Sequence, residues 1–127
     1  MAPRGSDASE TEMEVLKALW ETGPSTVREV EAELVRRGHR WAYTTIQTLL
    51  QRLQTKDLVT TNKESTPHVY APLVSRERLL ARRLKELALN MCDGMTAPLA
   101  RAMVSEEHFS REEIDHFRSL LDEKDSK

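Results

Sequence analysis

The 127-residue chain predicts a mainly α-helical fold with one small β-hairpin, in two parts at residues 7–73 and 74–127. Three observations lead there. Apolar residues recur at a helical period through most of the chain, and Ser-x-x-Glu or Thr-x-x-Glu capping boxes open three of the helices. Between Leu58 and Ala71 that period is replaced by short Val- and Thr-rich extended runs.

The first box, Ser9 to Glu12, opens a helix whose stripe is Met13, Leu16, Leu19 and Trp20, and Gly23-Pro24 stops it. The second, Thr26 to Glu29, opens a helix that continues through Val27, Val30 and Leu34 to Gly38. A third helix begins near Ala42 and runs to about Lys56, with Ile46, Leu49, Leu50 and Leu53 inward and Leu58 closing the core just beyond. Leu58–Lys63 and His68–Ala71 then read as two strands around a turn at Glu64–Pro67. Three helices followed by a hairpin wing is the winged helix-turn-helix layout.

After Pro72 and Ser75 helical periodicity returns. Leu80, Leu84, Leu87 and Met91 form a heptad-like seam from about Ser75 to Cys92, ended by Asp93-Gly94. A short helix follows at Ala97–Ser105, where Pro98 is tolerated in the first turn. The third box, Ser110 to Glu113, opens a last helix with Ile114, Phe117 and Leu121 on one side. These last fifty or so residues have three apolar stripes and too little material to cover them. At roughly 25 cal/mol per Å² of apolar surface, a second copy of the chain is the favoured cover, making a symmetric homodimer the expectation. The alternative is that the tail folds back on the first part.

Composition bounds the function. With 39% hydrophobic and 31% charged residues, the chain reads as soluble with a modest core. It shows no apolar run long enough to span a membrane and no secretory signal, so the expectation is a cytoplasmic protein without membrane insertion. One cysteine, Cys92, excludes an internal disulfide framework and any multi-cysteine metal site. The formal charge of −2 hides a strong polarity along the chain. Residues 6–35 hold eight acids and two bases, whereas residues 36–63 hold Arg36, Arg37, Arg40, Arg52, Lys56 and Lys63 against Asp57 alone. That basic block covers the third helix, the loop before it and the hairpin, the parts of a helix-turn-helix that face DNA.

The third helix carries the sharpest signal. Its outward side presents Thr44, Thr45, Gln47, Thr48, Gln51 and Arg52, with no acid before Asp57. Threonine fits thymine methyls and phosphate oxygens, glutamine bridges adenine N6 and N7, and arginine forks onto guanine or phosphate. A merely solvated face would mix Glu with Lys at i,i+4 spacing.

Glu12–Pro24 (EMEVLKALWETGP), Trp41–Leu53 (WAYTTIQTLLQRL) and Val69–Pro72 (VYAP) resemble the BlaI/MecI/CopY family of penicillinase-type repressors, and the match runs from about Ser9 to Glu123. The resemblance implies a homodimeric winged-helix repressor on a palindromic TACA/TGTA-type operator of double-stranded DNA, controlling antibiotic-resistance or related genes. It places Tyr43, Thr44, Thr45 and Thr48 at recognition-helix positions and Lys63 and His68 in the wing. It also implies a membrane sensor metalloprotease of the BlaR/MecR type as a partner. In resistance-linked members that protease cuts an Asn-Phe bond in the middle dimerisation helix; an ungapped count puts Ala102 and Met103 there, so the asparagine is missing. The wing tip Ser65-Thr66-Pro67 is less basic than the family's Gly-Arg type, and the Cys-x-Cys cluster of the copper-responsive branch has no counterpart.

The expected interface therefore combines Tyr43, Thr44, Thr45, Thr48, Gln51, Arg52, Lys63 and His68, and the expected dimer contact Leu80, Leu84, Leu87, Met91, Met103, Ile114, Phe117 and Leu121. No cofactor, metal or catalytic constellation is expected. His108 and His116 lie eight apart, which misaligns them on a helix, and Cys92 beside Met91 and Met95 reads as a small buried hydrophobe. Arg76, Arg78, Arg82, Arg83 and Lys85 against Glu77 form a second local excess of base. Two other functions fit the same residues: a winged-helix module that binds protein through its acidic first helix, and a regulator that senses a ligand or redox state directly.

Overall fold

The computed structural model describes residues 8–126. Its elements run α1 (Glu10–Thr22), α2 (Val27–Arg36), α3 (Tyr43–Thr55), β1 (Val59–Asn62), β2 (Val69–Pro72), α4 (Arg76–Met91), α5 (Ala97–Glu106) and α6 (Arg111–Asp125). The chain forms two compact units that part between Arg82 and Arg83, within α4.

All three capping boxes close. At α1 the Glu12 N–H donates to Ser9 Oγ at 3.2 Å while the Ser9 N–H donates to Glu12 Oε1 at 3.0 Å. Thr26 with Glu29 and Ser110 with Glu113 repeat the arrangement at α2 and α6. Helix ends are equally specific. Beyond α2, Gly38 takes a φ of 94°, and the N–H groups of Gly38 and His39 return to the carbonyls of Val35 and Leu34. Beyond α3 the same closure uses Asp57 at a φ of 61°, with Asp57 and Leu58 bonding back to Gln54 and Leu53. That turn drops Leu58 into the core.

The core of the first unit joins Val15, Leu16 and Leu19 of α1, Val30 and Leu34 of α2, and Ile46, Leu49, Leu50 and Leu53 of α3. Leu58, Val59 and Tyr70 extend it into the hairpin. The strands pair antiparallel, Val59 opposite Pro72 and Asn62 opposite Val69. The hairpin is also tied from a side the sequence does not announce. Ser25, between α1 and α2, exchanges both backbone hydrogen bonds with Tyr70 at 2.8 and 2.7 Å, so β2 is bridged on both edges. Trp20 then donates its indole N–H to the Val74 carbonyl at 2.8 Å, and Arg76 lies over the Trp20 ring at 5.3 Å. Val74 and Leu79 are buried in this core, so the start of α4 belongs to the first unit.

Two acidic groups hold the first unit by charge. The nearly buried Glu12 carboxylate, besides closing its box, accepts from Lys56 Nζ at 2.5 Å and so ties α1 to the end of α3. Burial raises its pKa more than any other single influence, but Lys56, the Ser9 N–H and the charge of Arg52 together bring it below the ordinary carboxylate value. Glu33 takes two hydrogen bonds from Arg36, at 2.9 and 2.7 Å, and one from Arg37 at 2.9 Å. Arg36 foremost, with Arg37 adding to it against a smaller opposing effect of burial, lowers its pKa from 4.5 to about 2.

In the second unit Ala88 is the one buried residue among those described, and α5 and α6 bury none. Phe109 meets Phe117 edge-on at 5.0 Å. Cys92, expected in a buried position, is half-buried just past the end of α4.

Because both carboxyl pKa values are lower in the folded chain, the stability they contribute is complete above the unfolded value of 4.5 and is lost as pH falls below it, for Glu33 down to about 2. Denaturant titrations at a series of pH values should show a flat plateau above about pH 5 and a decline below it. Glu33→Gln should shallow that decline while leaving the two helix caps of α1 and α6 unaffected.

Candidate nucleic-acid interface

Packing sets the rotation of α3. Ile46, Leu49, Leu50 and Leu53 all point into the core, which leaves Thr44, Thr45, Thr48, Gln51 and Arg52 exposed on the opposite side, with Tyr43 half-buried at the first turn. Thr44, Thr45, Thr48 and Arg52 line a shallow open groove of about 320 Å³ with Leu49 at its base. The residues predicted to read a surface therefore share one continuous helical face.

Thr48 is not a free hydroxyl. It donates to the Thr44 carbonyl at 2.9 Å, and Thr55 does the same to Gln51 at 3.1 Å. With its proton committed, Thr48 offers outward a methyl group and an acceptor oxygen. That combination suits a thymine methyl better than a phosphate oxygen, which needs a donor.

The structure redistributes the charge of the basic block. Arg36 and Arg37 both serve Glu33, and Lys56 serves Glu12. Arg40, Arg52 and Lys63 stand outside these pairs on exposed positions. The acids of the opening block are thus partners of half the bases that follow. Glu14 joins in as well, accepting from Lys17 at 2.9 Å and lying 3.2 Å from His39, whose ring stacks on Trp41 at 4.7 Å. The bond from Lys17 comes first among the influences that lower the Glu14 pKa.

The wing is coupled to α3. Thr61 of β1 donates to Gln54 Oε1 at 2.8 Å. Lys63 and His68 stand exposed at the two ends of the turn, whose shape is held by Asn62 accepting from the Glu64 N–H and by Ser65 donating to the Asn62 and Pro67 carbonyls. His68 shares a cleft with Tyr43 and Gln47 of α3; Lys63 is not among its walls. Arg28, in the first turn of α2, also lines that cleft and lies 4.5 Å from the Tyr43 ring centre. Sequence reasoning passed over Arg28 because it falls in the acidic block. Its signal was there: it is one of two bases in that block and sits two residues after a helix cap.

The residues expected at a dimer contact lie on the second unit and the end of the first. Leu80, Leu84, Leu87 and Met91 follow one side of α4, and Met103 and Leu121 are exposed on α5 and α6. Phe117 is exposed but touches Phe109, and Ile114 is half-buried. Leu89, Met95, Val104 and Leu120 add apolar surface that the periodicity had not marked. Ala102 and Met103 lie exposed in the middle of α5. Among the described residues no three metal-binding side chains cluster, and no helix is long and apolar enough to cross a membrane.

The model of the family described as Penicillinase repressor matches residues 8–123. The Transcriptional regulator BlaI of Mycobacterium tuberculosis (strain CDC 1551 / Oshkosh) is 35% identical over 113 residues, covering 88% of this chain and 80% of that protein. The Penicillinase repressor of Bacillus licheniformis is 27% identical over 115 residues, covering 91% and 89%. A solved MarR family protein from Bacillus stearothermophilus is 22% identical, with a TM-score of 0.48 over 93% of this chain and 73% of that one, a likeness too loose to build on.

The Thr48 geometry gives a discriminating test. Thr48→Ala should weaken binding to a selected DNA site by about fourfold per half-site, the ~0.8 kcal/mol of one buried methyl. Thr48→Val keeps the methyl and exchanges the hydroxyl for a second methyl, so its affinity by gel shift should stay within about twofold of wild type.

Proposed function

Since the chain belongs to the penicillinase repressor family, whose members are DNA-binding transcriptional repressors, we propose that it acts as a homodimer on a palindromic TACA/TGTA-type operator of resistance or stress-response genes. One observation carries this reading: the acid-free Thr, Gln and Arg face of α3, turned outward by its own buried face and flanked by a wing hydrogen-bonded to it. α3 enters the major groove, where Thr44, Thr45, Thr48 and Gln51 meet base edges. Arg40, Arg52 and Lys63 take phosphates, and Tyr43 and His68 line the approach to the wing. The family is one of regulators rather than enzymes.

Supporting dimerisation is the second unit, which buries Ala88 alone among its described residues. The reader is residues 7–73 in this proposal and the dimerising segment is 74–127. Two copies matter because one small module reads too few base pairs; paired half-sites multiply specificity. The work is cytoplasmic, where the operator is. Induction by a membrane sensor metalloprotease would require access to the Ala102-Met103 bond, and that bond lies mid-helix in α5 without the family's asparagine.

The rival reading, a protein-binding module using the acidic first helix, loses ground for a specific reason. Glu12 and Glu14 already serve Lys56, Lys17 and His39 within the same unit.

If each protomer neutralises three or four phosphates, log K against log[salt] should slope at about −5 to −7 for the dimer. Selection from random DNA should enrich a palindrome; a slope near zero and no retention at low salt would favour the protein-binding module. Leu84→Asp and Leu87→Asp should sediment as monomers, and a persistent dimer would place the contact elsewhere.

A further inference from the structure

The cleft between α2, α3 and the wing tip is a cavity of about 240 Å³ that the major-groove contacts leave unused. Val27, Pro67 and Tyr70 supply apolar walls, while Arg28, Gln47 and His68 supply polar atoms near its rim. Arg28 is held in place rather than waving in solvent. Its guanidinium lies 4.5 Å from the centre of the Tyr43 ring, and its Nη1 donates to Glu31 at 3.1 Å. One cation–π contact and one ion pair use a fraction of the five N–H donors of a guanidinium, so others remain available while the side chain is 74% exposed.

A planar cation, the carboxamide of Gln47 and an imidazole around an apolar floor match one chemistry, a phosphodiester with its attached sugar. The phosphate meets the donors and the deoxyribose carbons meet Val27 and Pro67. We propose that this cleft is a backbone-phosphate site of the operator complex with Arg28 as its cation, an assignment that rests on the DNA-binding reading above. The site is carried by α2 and the wing as well as α3. It therefore registers the reading helix against the sugar–phosphate chain beside the groove rather than reading a base.

The experiment compares wild type with Arg28→Gln and Arg28→Lys on a selected operator. Each half-site phosphate is replaced in turn by an uncharged methylphosphonate, and the salt slope is measured alongside. For wild type, one methylphosphonate position per half-site should weaken binding markedly. Arg28→Gln should lose about tenfold in affinity on native DNA, become indifferent to that position, and show a salt slope shallower by about 2 for the dimer. Arg28→Lys should restore the slope, since the charge returns. Arg28 is exposed and outside the core, so all three proteins should give matching thermal melts. An unchanged methylphosphonate profile and slope in Arg28→Gln would overturn the assignment while leaving the repressor reading intact. Equal loss of slope in both variants would also overturn it, leaving Arg28 only as a brace for Tyr43. Failure of wild type to hold any selected site would overturn both readings together.

Discussion

Everything in the reader depends on the burial of one side of α3. A helix of 13 residues has room for two functional faces, and Ile46, Leu49, Leu50 and Leu53 commit one of them wholly to the core. Once those four side chains are packed against α1 and α2, the azimuth of Thr44, Thr48 and Gln51 is no longer adjustable. The outward face is thus positioned by residues that never touch it. Capping and closure then fix the same helix along its axis: Leu58, swung inward by the left-handed turn at Asp57, ends α3 and begins the hairpin in a single step. The wing inherits its place from the helix.

Charge obeys the same economy. The acidic opening and the basic middle of the chain are, to a large extent, two halves of one internal network. Glu12 joins the first helix to Lys56 at the end of the third, and Glu33 collects both Arg36 and Arg37. A buried carboxylate without Lys56 would be costly; with Lys56 it becomes a strut between sequence positions 44 apart. Among the described residues, Arg40, Arg52 and Lys63 stand outside these ion pairs around α3. A reader with few phosphate contacts gains less from indiscriminate attraction to DNA and relies more on base edges for its affinity.

Much of this was legible in the sequence because it is local. Capping boxes, the 3.6-residue stripes, the switch to Val and Thr at Leu58 and the bare polar face of α3 are all encoded within windows of a dozen residues. The contacts that escaped are those that join distant segments by backbone or by geometry. The Ser25–Tyr70 bridge uses main-chain groups that any residue carries, and the Trp20–Val74 bond spans 54 positions. Arg28 was hidden by its neighbours: counted in a block it is cancelled by acids, and only the approach of α2 to Tyr43 reveals its direction. Block counting also overstated the basic middle, since pairing across blocks cannot be seen until the chain folds.

The bridge between Ser25 and Tyr70 has a mechanical meaning. A hairpin attached only through its own strand ends can hinge, and a hinged wing could follow the groove of whatever duplex it met. Here β2 is stitched to β1 on one edge and to the α1–α2 joint on the other, while Thr61 clasps Gln54 of the helix. Helix and wing present themselves as one stiff template. When such a template docks, the compliance must come from the nucleic acid, so base steps that the side chains never touch acquire a vote through how readily they bend and narrow.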